Sequence, residues 1–276
     1  MNRREFLAAS AAVAAGLVLG GGLTPALFAA DEKSAAASGE RQIYELRTYH
    51  FASPEKQQAY EQFLAKAGIA ALNRAGVEPV GVFKLNPDDN RDLKPAPDPN
   101  DLWLFLPHKS LESVLTLESK LAADEAYQNA GKDVLTSKKN DPAFTRYENM
   151  LLLAFEGAPK VVVPTKSEGR LFELRTYESH NAERAKNKVE MFNSGEFPVF
   201  QRAGMPGVFF GSAIAGPDLP QLTYMIAHED AGRKAQDWRA FGADAEWKKL
   251  SGNPAYKDNV SKIIARFLRP AAGSQI

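Results

Sequence analysis

Glu45-Leu46-Arg47-Thr48-Tyr49 (ELRTY) returns as Glu173-Leu174-Arg175-Thr176-Tyr177, 128 residues later in a chain of 276. Each copy alternates charged or aromatic residues with apolar or small ones, the period of a strand. The recurrence is not isolated. Arg74-Ala75-Gly76 returns as Arg202-Ala203-Gly204 at the same spacing, residues 102–108 (LWLFLPH) as 222–228 (LTYMIAH), and Asp141-Pro142-Ala143-Phe144 as Asn253-Pro254-Ala255-Tyr256. The order is kept while the spacing falls, so the first copy carries extra residues. They fall in the Pro- and Asp-rich stretch 86–100 and in a helical stretch before Asp141, both surface-like.

Outward from that pentapeptide, the first copy predicts a strand at 42–50 and then a helix opened by Ser53-Pro54-Glu55, with a capping serine and a proline in the first turn. Tyr60, Phe63, Leu64, Ala67, Ala71 and Leu72 form its apolar stripe, and Gly76 ends it. Strands follow at 80–85 and 102–106, then a helical region from Ser110 that bends before Ala123-Asp124, then a strand at 147–155. The second copy repeats the series, with strands at 171–177, 207–212, 222–227 and 260–268 and helical regions at 181–203 and 230–250. Gly195 and Pro198 interrupt the first of these helices. The order β-α-β-β-α-β gives an α+β fold, an antiparallel sheet with helices on one face. The bare face needs cover, and the sheet of the other copy supplies it. The expected organisation is repeat 1 at 42–156, a linker at 157–168, repeat 2 at 169–270 and a tail at 271–276.

Composition narrows the function classes. The chain is 44% hydrophobic, enough for a substantial core. Lys plus Arg equals Asp plus Glu at 34 each, so no net field draws it to nucleic acid. It has no cysteine, which excludes thiol catalysis, disulfides, cysteine-ligated zinc and covalently attached haem. No cofactor is expected, although noncovalent haem needs only an imidazole and stays open. Metal-binding spacings, phosphate loops and the serine-hydrolase elbow are missing from the sequence.

The N-terminus pairs Arg3-Arg4 with Phe6-Leu7 ahead of an Ala-, Gly- and Leu-rich run. This is similar to a twin-arginine export signal and predicts a leader at 1–30, a spacer at 31–41 and a periplasmic or otherwise exported mature protein. An uncleaved leader is the one expected link to a membrane.

Period two puts Glu45, Arg47 and Tyr49 on one face of the first strand and Glu173, Arg175 and Tyr177 on the matching face of its repeat. Leu46 and Leu174 are expected against the helices, which turns the charged face into the space between the sheets. Charges there must be paired or solvated. Two readings stay open: a structural seam in which each Glu and Arg pair, and a polar cavity in which Arg holds a ligand group while Glu or Tyr assists proton transfer. The candidate ligand residues are Glu173, Arg175, Tyr177 and Tyr224, with Glu45, Arg47 and Tyr49 opposite, followed by His228, His180 and Glu196. No catalytic residue is assigned.

YELRTYHF and FELRTYES, each leading into a helix, together with RAG, GVF and the run LTYMIAHED…DWRAFGADAEWKKL with Trp238 and Trp247, resemble the NIPSNAP family across most of 42–270. The resemblance implies a ferredoxin-like, dimeric α/β-barrel fold, here as a pseudo-dimer of tandem repeats, shared with cofactor-independent monooxygenases and haem-binding relatives. It carries no catalytic residues. It leaves a small ligand or protein partner between the sheets, a homodimer, an oxygenase or isomerase, and a purely structural role as the expectations to weigh.

Overall fold

The computed structural model describes residues 40–276. The leader read at 1–30, and the spacer up to residue 39, lie outside them. Eight antiparallel strands close into one barrel: β1 (Ile43–His50), β2 (Gly81–Leu85), β3 (Leu102–His108), β4 (Arg146–Ala154), β5 (Leu171–Glu178), β6 (Gly207–Ala215), β7 (Gln221–His228) and β8 (Lys262–Pro270). Around the barrel they run β1-β3-β2-β8-β5-β7-β6-β4. The two halves are stitched where β2 meets β8, with Leu85 opposite Leu268, and where β4 meets β6, with Ala154 opposite Gly211. No strand edge of the barrel is left open, which removes the template that an exposed edge offers to other chains.

Helices lie outside the barrel. In the first half α1 (Pro54–Phe63) runs through a π-helical segment (Leu64–Gly68) into α2 (Ile69–Arg74), followed by the short α3 (Pro87–Asn90), then α4 (Leu111–Ala123), α5 (Glu125–Ala130) and α6 (Lys132–Leu135). The second half has α7 (Ala182–Met191), a π-helical segment (Phe192–Glu196) and α8 (Phe197–Arg202), then α9 (Lys234–Ala243) and α10 (Ala245–Ser251). The predicted caps are present: Ser53 accepts from the Lys56 amide, and Gly76 and Gly204 end their helices at φ 89° and 84°, a conformation favouring glycine. Asp124 caps the helix that follows the predicted bend, and Asp244 caps α10 after a matching bend that was not predicted. Each also holds the arginine that ends the first helical run of its half, Arg74 of α2 and Arg202 of α8 respectively.

The barrel interior is apolar. Tyr44, Phe105 and Phe209 stack along its axis, the latter two with ring centroids 4.4 Å apart, and Phe83 meets Phe172 from the other half at 5.1 Å. Each such ring contributes about 2 kcal/mol by burial. The linker and the tail cover one end of the barrel: Val161 and Val163 pack on this core and Ile276 is fully buried in it. The tail therefore does not trail away. Gln275 and Ser274 accept hydrogen bonds from the Val80 and Val82 amides with their side chains.

One expectation is reversed. Tyr44, Leu46, Phe172 and Leu174 face the barrel axis, whereas Tyr49 and Tyr177 pack with the helices of their own halves. Glu45, Arg47 and Tyr49, and likewise Glu173, Arg175 and Tyr177, thus point away from the space between the sheets. The reason is physical. A closed eight-stranded interior is filled by side chains and excludes water, so it offers charges no partner, while the covering helices carry polar ones. Both strand faces are buried, and alternation alone does not tell which is inside.

Candidate functional site

The outer face of β5 and the helices over it enclose a cavity of about 290 Å³, lined by Arg175, Tyr177, Glu196, Phe200, Trp238, Phe241, Gly242 and Trp247. Strand pairing assembles its floor. β5 and β7 set Arg175 opposite Tyr224 and Glu173 opposite Ile226, so His228 lies diagonally next to Glu173, within reach across the pleat. The walls come from α8 with Phe200, α9 with Trp238 and Phe241, and α10 with Trp247, whose amide is capped by Asp244.

Glu173 is the hub behind this surface. Its Oε1 receives Arg175 Nη1 at 2.5 Å, and its Oε2 receives Trp238 Nε1 at 2.8 Å and lies 3.3 Å from His228 Nε2. The other ring nitrogen of His228 is 2.9 Å from Asp237 Oδ2. Burial works to raise the Glu173 carboxyl, but the His228 contact, the Arg175 charge and the Trp238 bond outweigh it and hold it below its ordinary value. Arg175 also donates from Nε to Tyr177 Oη at 3.2 Å and stacks its guanidinium 4.8 Å from the Trp238 ring centroid, a cation–π contact. Tyr177 and Tyr224 share a hydrogen bond of 2.9 Å. Burial pushes both phenols up, so they stay protonated and do not act as bases.

Across the cavity Glu196 pairs with Lys188 at 2.8 Å, both buried. Burial raises the Glu196 carboxyl even though Lys188 opposes the shift. The turn between α7 and α8, which kinks at Gly195, brings the two together. Inside it Gly195 adopts φ 150°, ψ 2°, left-handed backbone that suits glycine.

Of the residues singled out from sequence, Arg175, Tyr177 and Glu196 line this cavity. Glu173, Tyr224 and His228 lie directly behind it, fully or almost fully buried. His180 is exposed beyond β5 and is not in the lining. Glu45, Arg47 and Tyr49 do not face the second-half residues but form their own network. Glu45 takes Arg47 Nε and Asn149 Nδ2, each at 2.7 Å, and lies 3.2 Å from His108 Nε2. Arg47 reaches Glu118 at 3.0 Å, and Tyr49 packs among Tyr60, Phe144 and Tyr147. Sequence reasoning missed Lys188, Asp237, Trp238 and Trp247 as site residues. The signal was available in DWRAF, where an acid and an indole precede Phe241 on one helix, and in Lys188 and Glu196 flanking Gly195.

A comparison with curated proteins finds no match. Among solved structures the barrel is similar to a protein from Lactobacillus acidophilus NCFM provisionally described as a monooxygenase, at TM-score 0.57 and 10% identity over 85% of this chain and 98% of that one. A second, from Fusobacterium nucleatum and described in the same way, gives TM-score 0.50 and 11% identity over 84% and 93%. At these identities the likeness shows the fold alone. An uncharacterized NIPSNAP-like domain protein from Burkholderia xenovorans aligns at 16% identity over 40% of this chain and 91% of its own, with TM-score 0.36. The NIPSNAP family model matches residues 172–275, the half that carries the cavity.

Proposed function

We propose that the chain is an exported, tandem NIPSNAP-type protein whose halves are copies of one ferredoxin-like βαββαβ unit fused as a pseudo-dimer. Its second half binds a small, neutral, ring-bearing ligand and needs no cofactor to do so. Support for two copies comes from the strand order β4-β1-β3-β2 beside β8-β5-β7-β6, from a π-helical turn at the same place in each half, and from the paired Arg74–Asp124 and Arg202–Asp244 bridges. Export rests on Arg3-Arg4 with Phe6-Leu7.

The observation that carries the ligand reading is the cavity wall. Four aromatic side chains, Phe200, Trp238, Phe241 and Trp247, surround Arg175, Tyr177 and Glu196, and each charge there already has an opposite charge, Glu173 for Arg175 and Lys188 for Glu196. A charged ligand would leave one of these buried groups uncompensated. A flat neutral molecule gains stacking and one hydrogen bond instead. Calorimetric titration of the full chain with 1-naphthol tests this: saturable binding that Trp238→Ala abolishes is expected, and absence of binding, or binding indifferent to Trp238→Ala, refutes it.

Glu196 favours a second reading, a cofactor-independent oxygenase or isomerase. Its carboxyl is raised by burial and lines the cavity, the direction of shift that suits a group taking and returning a proton. Deuterium exchange into the ring positions of bound 1-naphthol, lost in Glu196→Gln while binding persists, separates this reading from plain binding.

A further inference from the structure

The barrel has a second cavity, and both halves build it. At the end opposite the linker and tail, about 240 Å³ opens along the axis between Leu46, His50, Trp103, Leu174, Thr176 and Arg266, with the exposed Glu148 and Asp218 at its rim. All the strand positions that line it have the parity of the apolar core, so the polar ones are set deliberately at the mouth of an otherwise hydrophobic barrel. His50 ends β1, Asp101 immediately precedes β3, and Arg266 lies in β8.

Two of these groups are incompletely used. His50 Nδ1 lies 2.7 Å from Asp101 Oδ1; with the proton on that nitrogen, Nε2 is left as an acceptor. Nε2 is buried and has no hydrogen-bond partner; its nearest charged neighbour is Glu148 Oε1 at 3.6 Å, itself an acceptor. Arg266 is half-buried, and among the described residues its one hydrogen bond is to the carbonyl of Ala265 at 2.9 Å. Burial lowers its pKa, with Asp101 the one charge opposing that. A half-buried guanidinium without a paired carboxylate is a ready anion site, and a buried imidazole acceptor without a donor is costly until one arrives.

We infer that the barrel mouth is a second binding site, for a small hydroxylated carboxylate: the carboxylate sits on the Arg266 guanidinium, the hydroxyl donates to His50 Nε2, and the apolar body lies on Leu46, Trp103 and Leu174. The cavity is below the ~300–1,000 Å³ typical of sites for larger ligands, so the body is of the order of one ring. The site differs from that of the neutral ligand in charge, in residues and in position, inside the barrel rather than outside it.

The test is calorimetric titration of the full chain with 4-hydroxybenzoate, and with benzoate as the probe that lacks the hydroxyl. Tighter binding of 4-hydroxybenzoate is expected. Arg266→Gln should weaken both by about tenfold or more, the worth of a charge-assisted hydrogen bond, His50→Phe should erase the preference between the two, and Trp238→Ala should leave both unchanged. An affinity weaker than about 1 mM, equal binding of the two probes, or loss of binding in Trp238→Ala overturns the inference. If Arg266→Gln does not fold, the His50 imidazole resonances of the unaltered protein decide: they shift on addition of 4-hydroxybenzoate, or the inference falls. Failure here leaves the 1-naphthol result untouched, and the reverse holds as well.

Discussion

Both halves of the barrel turn a Glu-Arg-Tyr triplet outward from their first strand and bury it under helices, but they finish the arrangement differently. In the second half Arg175 lies under the Trp238 ring beside a cavity; in the first, Glu118 reaches Arg47 from the matching position. The neighbouring differences run the same way. Tyr60 stands where the second half has Lys188, Gly68 where it has Glu196, and Tyr127 where it has Trp247. The two halves thus keep the same seam, while a handful of helix residues decides whether the seam also borders a site.

The comparison breaks most readily at its hub. Glu173→Ala strands a buried guanidinium and removes the acceptor of His228 and Trp238, a loss of about 3–5 kcal/mol for an unpaired buried charge. Glu45→Ala should cost clearly less, because Arg47 keeps Glu118. Urea midpoints of the two variants measure the difference, and equal costs would mean that Glu118 contributes nothing. A sharper test converts one half toward the other. Trp238→Glu gives Arg175 the partner that Arg47 has but removes the donor to Glu173, so 1-naphthol affinity should fall about tenfold or more with the lost aromatic contact, and the melting temperature should fall as well. Retained affinity would show that the ligand does not lie on the indole.

Much of this was written in the sequence, and the part that was not has a definite cause. The ordered repeats give all eight strands, the bend at Asp124, and the caps at Ser53, Gly76 and Gly204, because each depends on local backbone chemistry; the matching bend at Asp244 was not read. Arg175, Tyr177 and Glu196 were legible as site candidates because they are polar residues at positions that strand and helix periods bury. The direction of the ELRTY face was not legible. In β3, Leu102, Leu104 and Leu106 meet the helices while Trp103 and Phe105 face the axis, so both sides read as core. Only the partners across space, Trp238 for Glu173 and Lys188 for Glu196, reveal which side tolerates charge, and those partners lie 65 and 8 residues away.

A smaller effect separates the two π-helical turns. Gly195 has φ 150° and open space where a Cβ would go, so Gly195→Ala meets no steric neighbour and its cost is backbone strain alone, about 1–3 kcal/mol. The first half has Ala67 at the equivalent position, and its turn, Leu64–Gly68, runs on between helical caps at Phe63 and Ile69. Ala67 is buried in the core, so Ala67→Gly should cost the helix preference, about 0.5–1 kcal/mol, plus one buried methyl, about 0.8 kcal/mol. Thermal denaturation of both variants checks the two costs, and no loss for Gly195→Ala would mean that its turn is not strained.

The subtlest distinction is in pH dependence. Glu45 and Glu173 are held below the ordinary glutamate value: burial opposes this, but hydrogen bonds and charge from His108 and Arg47 in one case, and from His228, Arg175 and Trp238 in the other, prevail. The folded state releases these protons more readily than the unfolded one, so their contribution is present above the unfolded value and is lost as pH falls through the folded value. Glu196 has the opposite sign, because burial makes the folded state hold its proton. Its contribution is complete below the unfolded value and is lost as pH rises through the raised one. Gly68 leaves the first half without a counterpart. Glu196→Gln should therefore flatten the decline of stability above the ordinary glutamate value and leave the acid side unchanged, whereas Glu173→Gln should flatten the acid side alone. Urea midpoints taken across that range distinguish the two, and a Glu196→Gln variant that parallels the unaltered protein at every pH would show that Lys188 compensates Glu196 in full.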